Sequence, residues 1–164
     1  MNLSRDFTLP ELLRSDRFQS LVPLADDFPY QCVIMLSRLA AEVLQPIRNE
    51  LAVPVRVLSG YRSPELNRAV RGSQYSRHQI DVRGKLFAAA DIMTGTVPAE
   101  SIFNMLAVAG RDVLFDRVCL YPGMGFVHVD IHDWHFGPPA RRYYVDTGGG
   151  WLELSRHDAA RSSW

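Results

Sequence analysis

Apolar residues recur at helical spacing in two long segments of the chain. From Tyr30 to about Glu50 they fall every three or four positions, which predicts an amphipathic helix. Pro46 is expected to kink this helix or thin its last turn. The segment AESIFNMLAVA is bracketed by Pro98, suited to a first helical position, and by Gly110, just past the end. These patterns predict two long helices.

Two shorter helices are indicated by their first residues. In FTLPELL, Thr8 and Glu11 form a capping box, and the helix is expected to end near Ser15 or Asp16. Pro64 begins the second, PELNRAV.

Alternating or short apolar runs, rich in β-branched residues, predict strands in the rest of the chain. Since the helices come first and most strands come late, we predict a single α+β domain over residues 1–164, with a mostly antiparallel sheet and flanking helices. Residues 156–164 are expected to form a flexible tail. The predicted strands are VPVRVLS, AAADIM, DRVCLYP, GFVHVDIHD, RRYYVD and WLELS.

Composition narrows the possible functions. The chain has 18 Lys plus Arg and 18 Asp plus Glu, so nothing in its charge indicates nucleic-acid binding. Cys32 and Cys119 stand alone in apolar runs and are expected to be buried free thiols. No segment is long and apolar enough for a signal peptide or a membrane span, so we expect cytoplasmic synthesis and no membrane insertion.

Three titratable residues lie beside strand-like segments. In FVHVD, His128 shares a strand face with Phe126 and Asp130. Asp91 interrupts the apolar run AAADIM, where an unpaired charge is costly. His78 follows a polar loop. Each residue also has an explanation that requires no function. His128 could belong to a solvated strand face, Asp91 could form a salt bridge or cap a helix, and His78 could face solvent. Together, however, two imidazoles and a carboxylate match a catalytic zinc site with three protein ligands.

The order of the motifs resembles a known superfamily. SGYRSPELN, then S-x-H, AADI and YP…FVHVD, is similar to the zinc peptidases of the D,D-carboxypeptidase and hedgehog type, in particular their small phage and bacterial cell-wall branch. FTLPELL and VLQPIRNEL extend the resemblance over residues 7–136. It implies a hedgehog/D,D-peptidase-like fold, a Zn²⁺ cofactor and peptidase activity.

The resemblance also assigns roles by position. Arg62 is expected to hold a substrate carbonyl or carboxylate, for which its planar fork is suited. Ser76 is expected to line the same pocket, and Trp134 to wall the cleft. The implied zinc ligands are His78, Asp91 and His128.

The spacing of the ligands departs from the family pattern. The family places the aspartate seven residues after the first histidine, whereas here the separation is thirteen. About six residues are therefore inserted, within Ile80 to Phe87. A bulged loop would leave Asp91 in place, and Asp81 is a competing ligand.

The position of the general base also departs from the family pattern. Several family members carry it two or three positions before the last histidine, where this chain has Phe126 and Gly125. Neither can accept a proton from water. Asp130 is the first candidate and His132 and His135 are the next. Asp130 could instead orient a zinc histidine.

Two functions follow as hypotheses. The first is a zinc peptidase that cleaves peptide stems of peptidoglycan at the bacterial cell wall, released by a phage or prophage or carried in a virion. The second is a binding or structural component of a phage virion that keeps the peptidase fold with little turnover. Its partners would then include virion proteins.

Overall fold

The computed structural model describes residues 1–16, 20–21, 30–109 and 112–161. Residues 39–44 form a π-helical segment between α2 and α3, so the predicted helix from Tyr30 continues to Leu51. None of the described helices is long and apolar enough to cross a membrane. The helices are α1 (Leu9–Leu12), α2 (Tyr30–Arg38), α3 (Gln45–Leu51), α4 (Pro64–Ala69), α5 (Ala99–Ala109) and α6 (Arg156–Arg161).

The strands of the described residues form one sheet. Its order is β2-β1-β3-β5-β7-β6-β8-β9, and β4 pairs with the beginning of β5. All neighbours are antiparallel except β6 and β8, which are parallel. The predicted α+β class with a mostly antiparallel sheet is therefore confirmed. The strands are β1 (Arg14–Ser15), β2 (Ser20–Leu21), β3 (Val55–Ser59), β4 (Asp81–Val82), β5 (Lys85–Thr94), β6 (Arg117–Tyr121), β7 (Phe126–His132), β8 (Arg142–Asp146) and β9 (Trp151–Leu154).

The two faces of the sheet differ in polarity because successive side chains of a strand point to opposite sides. One face is apolar and is covered by the α2–α3 helix and by α5. Neighbouring positions on it are fully or almost fully buried: Ile92, Val127, Leu120 and Val145. The other face carries the polar residues at alternate positions of the same strands. The site therefore lies on the face that the long helices leave uncovered.

The long N-terminal helix is irregular one turn earlier than predicted. Its π-helical segment ends at Leu44, and Pro46 follows inside the continuous helix. The proline lacks the N–H that would bond the carbonyl oxygen of Glu42, and this oxygen accepts instead from the N–H of Leu114 at 3.0 Å.

Both ends of the chain differ from the prediction. Helix α1 ends at Leu12 rather than near Ser15, because Ser15 pairs with Ser59 as a strand. Residues 156–161, predicted as part of a flexible tail, form α6. Ala159 of this helix is fully buried, and Arg156 donates to the carbonyl oxygen of Ala107 at the end of α5.

The insertion before Asp91 is a hairpin. Asp81 and Val82 pair with Leu86 and Lys85 across a two-residue turn, Arg83-Gly84. Both turn residues have positive φ, as a tight hairpin turn requires. The Asp81 carboxylate accepts from the Gly84 N–H at 2.9 Å. Asp81 therefore stabilises the turn. The extra residues pair with the beginning of β5, and Asp91 lies farther along the same strand, opposite His128.

Candidate metal centre

Sheet register and one short helix bring the three predicted ligands together. Asp91 of β5 lies directly opposite His128 of β7 in the antiparallel pair. His78 comes from the 3₁₀ turn Arg77–Gln79 and is 3% exposed. We call these three residues, all of them buried, the metal cluster.

The ligand atoms of the metal cluster face one another. Nε2 of His78 is 3.2 Å from Nδ1 of His128 and 3.3 Å from Oδ1 of Asp91. Nδ1 of His128 is 2.9 Å from the same carboxylate oxygen. Zinc bonds of 2.0–2.1 Å in a tetrahedral arrangement would separate ligand atoms by about 3.3 Å. The spacing and the donor types fit a zinc ion.

Each ligand is held from its far side. His78 donates from Nδ1 to the carbonyl oxygen of Gly60 at 2.6 Å. Nε2 of His128 lies 3.0 Å from Oδ2 of Asp130. Arg62 donates to the second oxygen of Asp91 at 2.6 Å. Such outer contacts fix the ring tautomers and leave one nitrogen of each histidine toward the metal position.

Asp130 is the centre of a buried charge network. Its carboxylate, with no solvent exposure, accepts from Arg77 at 2.6 Å and from Arg117 at 2.7 Å. Arg77 also pairs with Asp116, which is 5% exposed. Both carboxylate oxygens of Asp130 are therefore occupied by two arginines and His128. Of the two interpretations of Asp130, this position favours a residue that orients His128 over a general base.

Burial and charge set the protonation of the metal cluster. Burial lowers the pKa of His78, and the nearby charge of Asp91 opposes this only in part. For Asp91, burial acts to raise the pKa, but the charge of His78 and hydrogen bonds from both histidines lower it well below its usual range. For His128, burial lowers the pKa, but hydrogen bonds to Asp130 and Asp91 outweigh it, so the pKa is raised. The carboxylate is ionised, as a metal ligand must be.

The metal cluster opens into a cleft of about 600 Å³. Arg62 and Ser76, to which the resemblance assigns substrate binding, line it. Trp134 does not line the cleft: it is half exposed, and the guanidinium of Arg38 lies 4.6 Å from its ring. The tryptophan in the cleft wall is Trp151 of β9.

The other proton-transfer candidates lie outside the cleft. His132 lines a separate pocket of about 190 Å³, where Nδ1 is 3.2 Å from Asp116 and Nε2 is 3.0 Å from the carbonyl oxygen of Gly137. The side chain of His135 is 90% exposed and hydrogen-bonds Asp133. Among the described cleft residues, Asp91 is the one carboxylate.

The fold and the buried His-Asp-His cluster define an α+β protein with a candidate hydrolytic metal site. A family model described as Peptidase M15 matches residues 16–130, more than half of the chain. The chain therefore belongs to the Peptidase M15 family, which confirms the resemblance to zinc D,D-peptidases and implies a hydrolase. Members of this family are typically zinc-dependent. No curated protein matches the chain.

Gly60 is expected to be essential for the fold around His78. A Cβ on Gly60 would lie 2.1 Å from the carbonyl oxygen of Leu12, and backbone cannot yield as a flexible side chain does. We expect Gly60→Ala to lower the free energy of unfolding by about 3 kcal/mol, at the upper end for an overpacked site. Denaturant titration measures this. Gly95→Ala is the control, because a Cβ there meets nothing within 4 Å. Equal stability of the two variants would contradict the prediction.

Proposed function

We propose that the protein is a zinc-dependent peptidase that hydrolyses the peptide stems or cross-links of bacterial peptidoglycan. The bond would be of the D,D-carboxypeptidase or endopeptidase type, or L-Ala–D-Glu. The observation that carries the proposal is the metal cluster, whose three ligand atoms lie at zinc-compatible distances at the floor of an open cleft. A bound Zn²⁺ supplies Lewis acidity, which polarises a carbonyl group and acidifies water.

The residues around the metal cluster supply binding and orientation. Arg62 uses Nη2 on Asp91 and Nε on Ser59, at 2.6 and 2.9 Å. A guanidinium has five N–H donors, so donors remain for a substrate carbonyl or carboxylate. The Ser76 hydroxyl adds a further polar group to the cleft wall. Asp130 holds His128 in place from the opposite side of its ring.

The proposed place of action rests on the resemblance of residues 7–136 to small phage and bacterial cell-wall enzymes. The protein would act at the bacterial cell wall, released by a phage or prophage or carried in a virion. Peptidoglycan stem peptides would be its substrates.

One observation favours a second candidate function. Apart from the metal cluster, the described cleft residues include no carboxylate or imidazole to accept a proton from water. A virion component that binds zinc and cell-wall peptide with little or no turnover would need no such group. Virion proteins would then be its partners.

Zinc content and cell-wall digestion, measured on the same samples, distinguish the two candidates. We expect about one zinc per chain, as a three-ligand site requires, and new amino termini released from purified cell walls. Chelation should stop the release and added zinc should restore it. Mass spectrometry of the fragments identifies the bond. Bound zinc without new termini would favour the virion component, and a chain that binds no zinc would overturn the proposed peptidase.

A further inference from the structure

The four arginines of the cleft differ in their acidic partners. They are Arg62, Arg71, Arg77 and Arg117. Arg62 pairs with Asp91, while Arg77 and Arg117 share Asp130. Within the described part of the chain, the guanidinium of Arg71 has no acidic partner. Among the described residues, Arg71 is therefore the cleft arginine whose charge no acid pairs, and it lines the same cleft as the metal cluster.

The backbone holds Arg71 in an unfavourable conformation. Its φ is +57°, at the end of α4, where glycine is the usual residue. A residue with a Cβ costs about 1 kcal/mol or more in this region. The loop is nevertheless fixed, since Arg71 N–H donates to Arg68 at 3.0 Å and Gly72 N–H to Asn67 at 2.8 Å. The loop therefore holds the backbone of Arg71 at the wall of the cleft.

A braced aromatic ring also lines the cleft. Trp151 is 52% exposed, and its ring meets Tyr121 edge to face with centroids 5.0 Å apart. Tyr121 in turn stacks on Phe126 at 4.3 Å. A ring held in this way loses little entropy when a ligand packs on it. Trp151 lies beyond residues 16–130, so this part of the wall is not covered by the family match.

We propose that Arg71 and Trp151 form a subsite for a carboxylate-bearing residue of a peptide, with a small apolar neighbour packed on the indole. This inference rests on the proposed function, because a peptide substrate supplies both groups. Arg71 gives the carboxylate a planar pair of donors. Trp151 contributes apolar contact area that stabilises the bound peptide whether its acidic residue is charged or neutral. The subsite thus selects acidic peptides independently of the zinc ligands.

A pair of synthetic stem peptides tests the subsite. The two peptides are identical except that one acidic residue carries a carboxylate or the corresponding amide. Calorimetry gives their Kd for the purified protein, and chromatography of the same mixtures reports hydrolysis. We expect the carboxylate form to bind about tenfold or more tightly than the amide form, as for a charge-assisted hydrogen-bonded pair. Arg71→Gln should abolish this preference, and Trp151→Ala should weaken both peptides alike.

Neighbouring residues provide matched controls. Arg68→Gln makes the same change on α4, where the side chain pairs with Glu65 and lies outside the cleft. Leu152→Ala removes the exposed residue next to Trp151. Both variants should keep the wild-type preference.

The outcomes separate the subsite from the peptidase activity. Hydrolysis of both peptides with no acid preference, or a preference that survives Arg71→Gln, would overturn the subsite and leave the peptidase. Carboxylate-dependent binding that Arg71→Gln removes, without any hydrolysis, would support the subsite and count against the peptidase. A normal thermal transition of Arg71→Gly would show that the loop folds without the arginine.

Discussion

Replacing His128 with alanine is expected to remove both zinc and activity. His128 provides Nδ1 to the metal cluster, 3.2 Å from Nε2 of His78, and no other described imidazole lies close enough to take its place. Loss of an outer contact costs about 10–100-fold in metal affinity, so loss of a ligand should cost about 10³-fold or more. Cell-wall digestion should fall to the level of the chelated protein. Elemental analysis and digestion of the same samples measure both.

The control for this experiment is His157→Ala. His157 is exposed on α6, outside the metal cluster and the cleft. Its replacement should leave one zinc per chain and normal digestion. If His128→Ala kept its zinc and its activity, the three-ligand assignment would be wrong.

Asp130→Asn is expected to weaken both the fold and zinc binding. The substitution keeps the shape but removes a buried charge that faces Arg77 and Arg117. Breaking a buried pair costs about 3–5 kcal/mol, and because the arginine side chains are 19% and 31% exposed we expect about 3 kcal/mol. Weaker orientation of His128 should lower zinc affinity about 10–100-fold. Denaturant titration of the zinc-free protein and competitive zinc titration measure the two effects.

The difference in the free energy of unfolding between wild type and Asp130→Asn should also depend on pH. Burial acts to raise the pKa of Asp130, but the hydrogen bond from His128 and the charges of both arginines lower it well below its usual range. A lowered pKa in the folded state stabilises the protein above the unfolded pKa of about 3.9. The difference in the free energy of unfolding should therefore be largest near neutral pH and should decrease as the pH falls below about 4.

Asp112→Asn is the matched control, since Asp112 is exposed. It should leave stability and zinc affinity unchanged. A loss of digestion by Asp130→Asn with normal stability and zinc affinity would instead indicate that Asp130 takes part in proton transfer.

Two of the three proposed ligands are marked in the sequence by a local pattern. His128 alternates with valines in β7, and Asp91 interrupts an apolar run in β5. The register of the two strands, which the sequence does not specify, places these residues directly opposite each other. His78 could be assigned only through the resemblance, since a loop histidine carries no periodic signal. The hairpin at Arg83-Gly84 explains why the longer spacing leaves Asp91 in position.

Other parts of the site could not be predicted because they depend on contacts between distant segments. Arg77 meets Asp116 and Asp130 across separations of 39 and 53 residues, and no local pattern specifies those pairs. Trp134 follows β7 in the sequence, yet Trp151 reaches the cleft because β9 pairs with β8 beside β6. The sequence of WLELS indicates a strand but not its neighbour.

The parallel pairing of β8 with β6 has a consequence for aggregation. An uncovered strand exposes a row of unpaired N–H and C=O groups that can pair with another molecule. β6 carries buried apolar residues, Val118 and Leu120, and β8 occupies its outer edge. The outermost strand on this side of the sheet is then β9, which has only four residues and includes the charged Glu153. The segment that completes the cleft wall thus also keeps the central strands from joining those of a second copy.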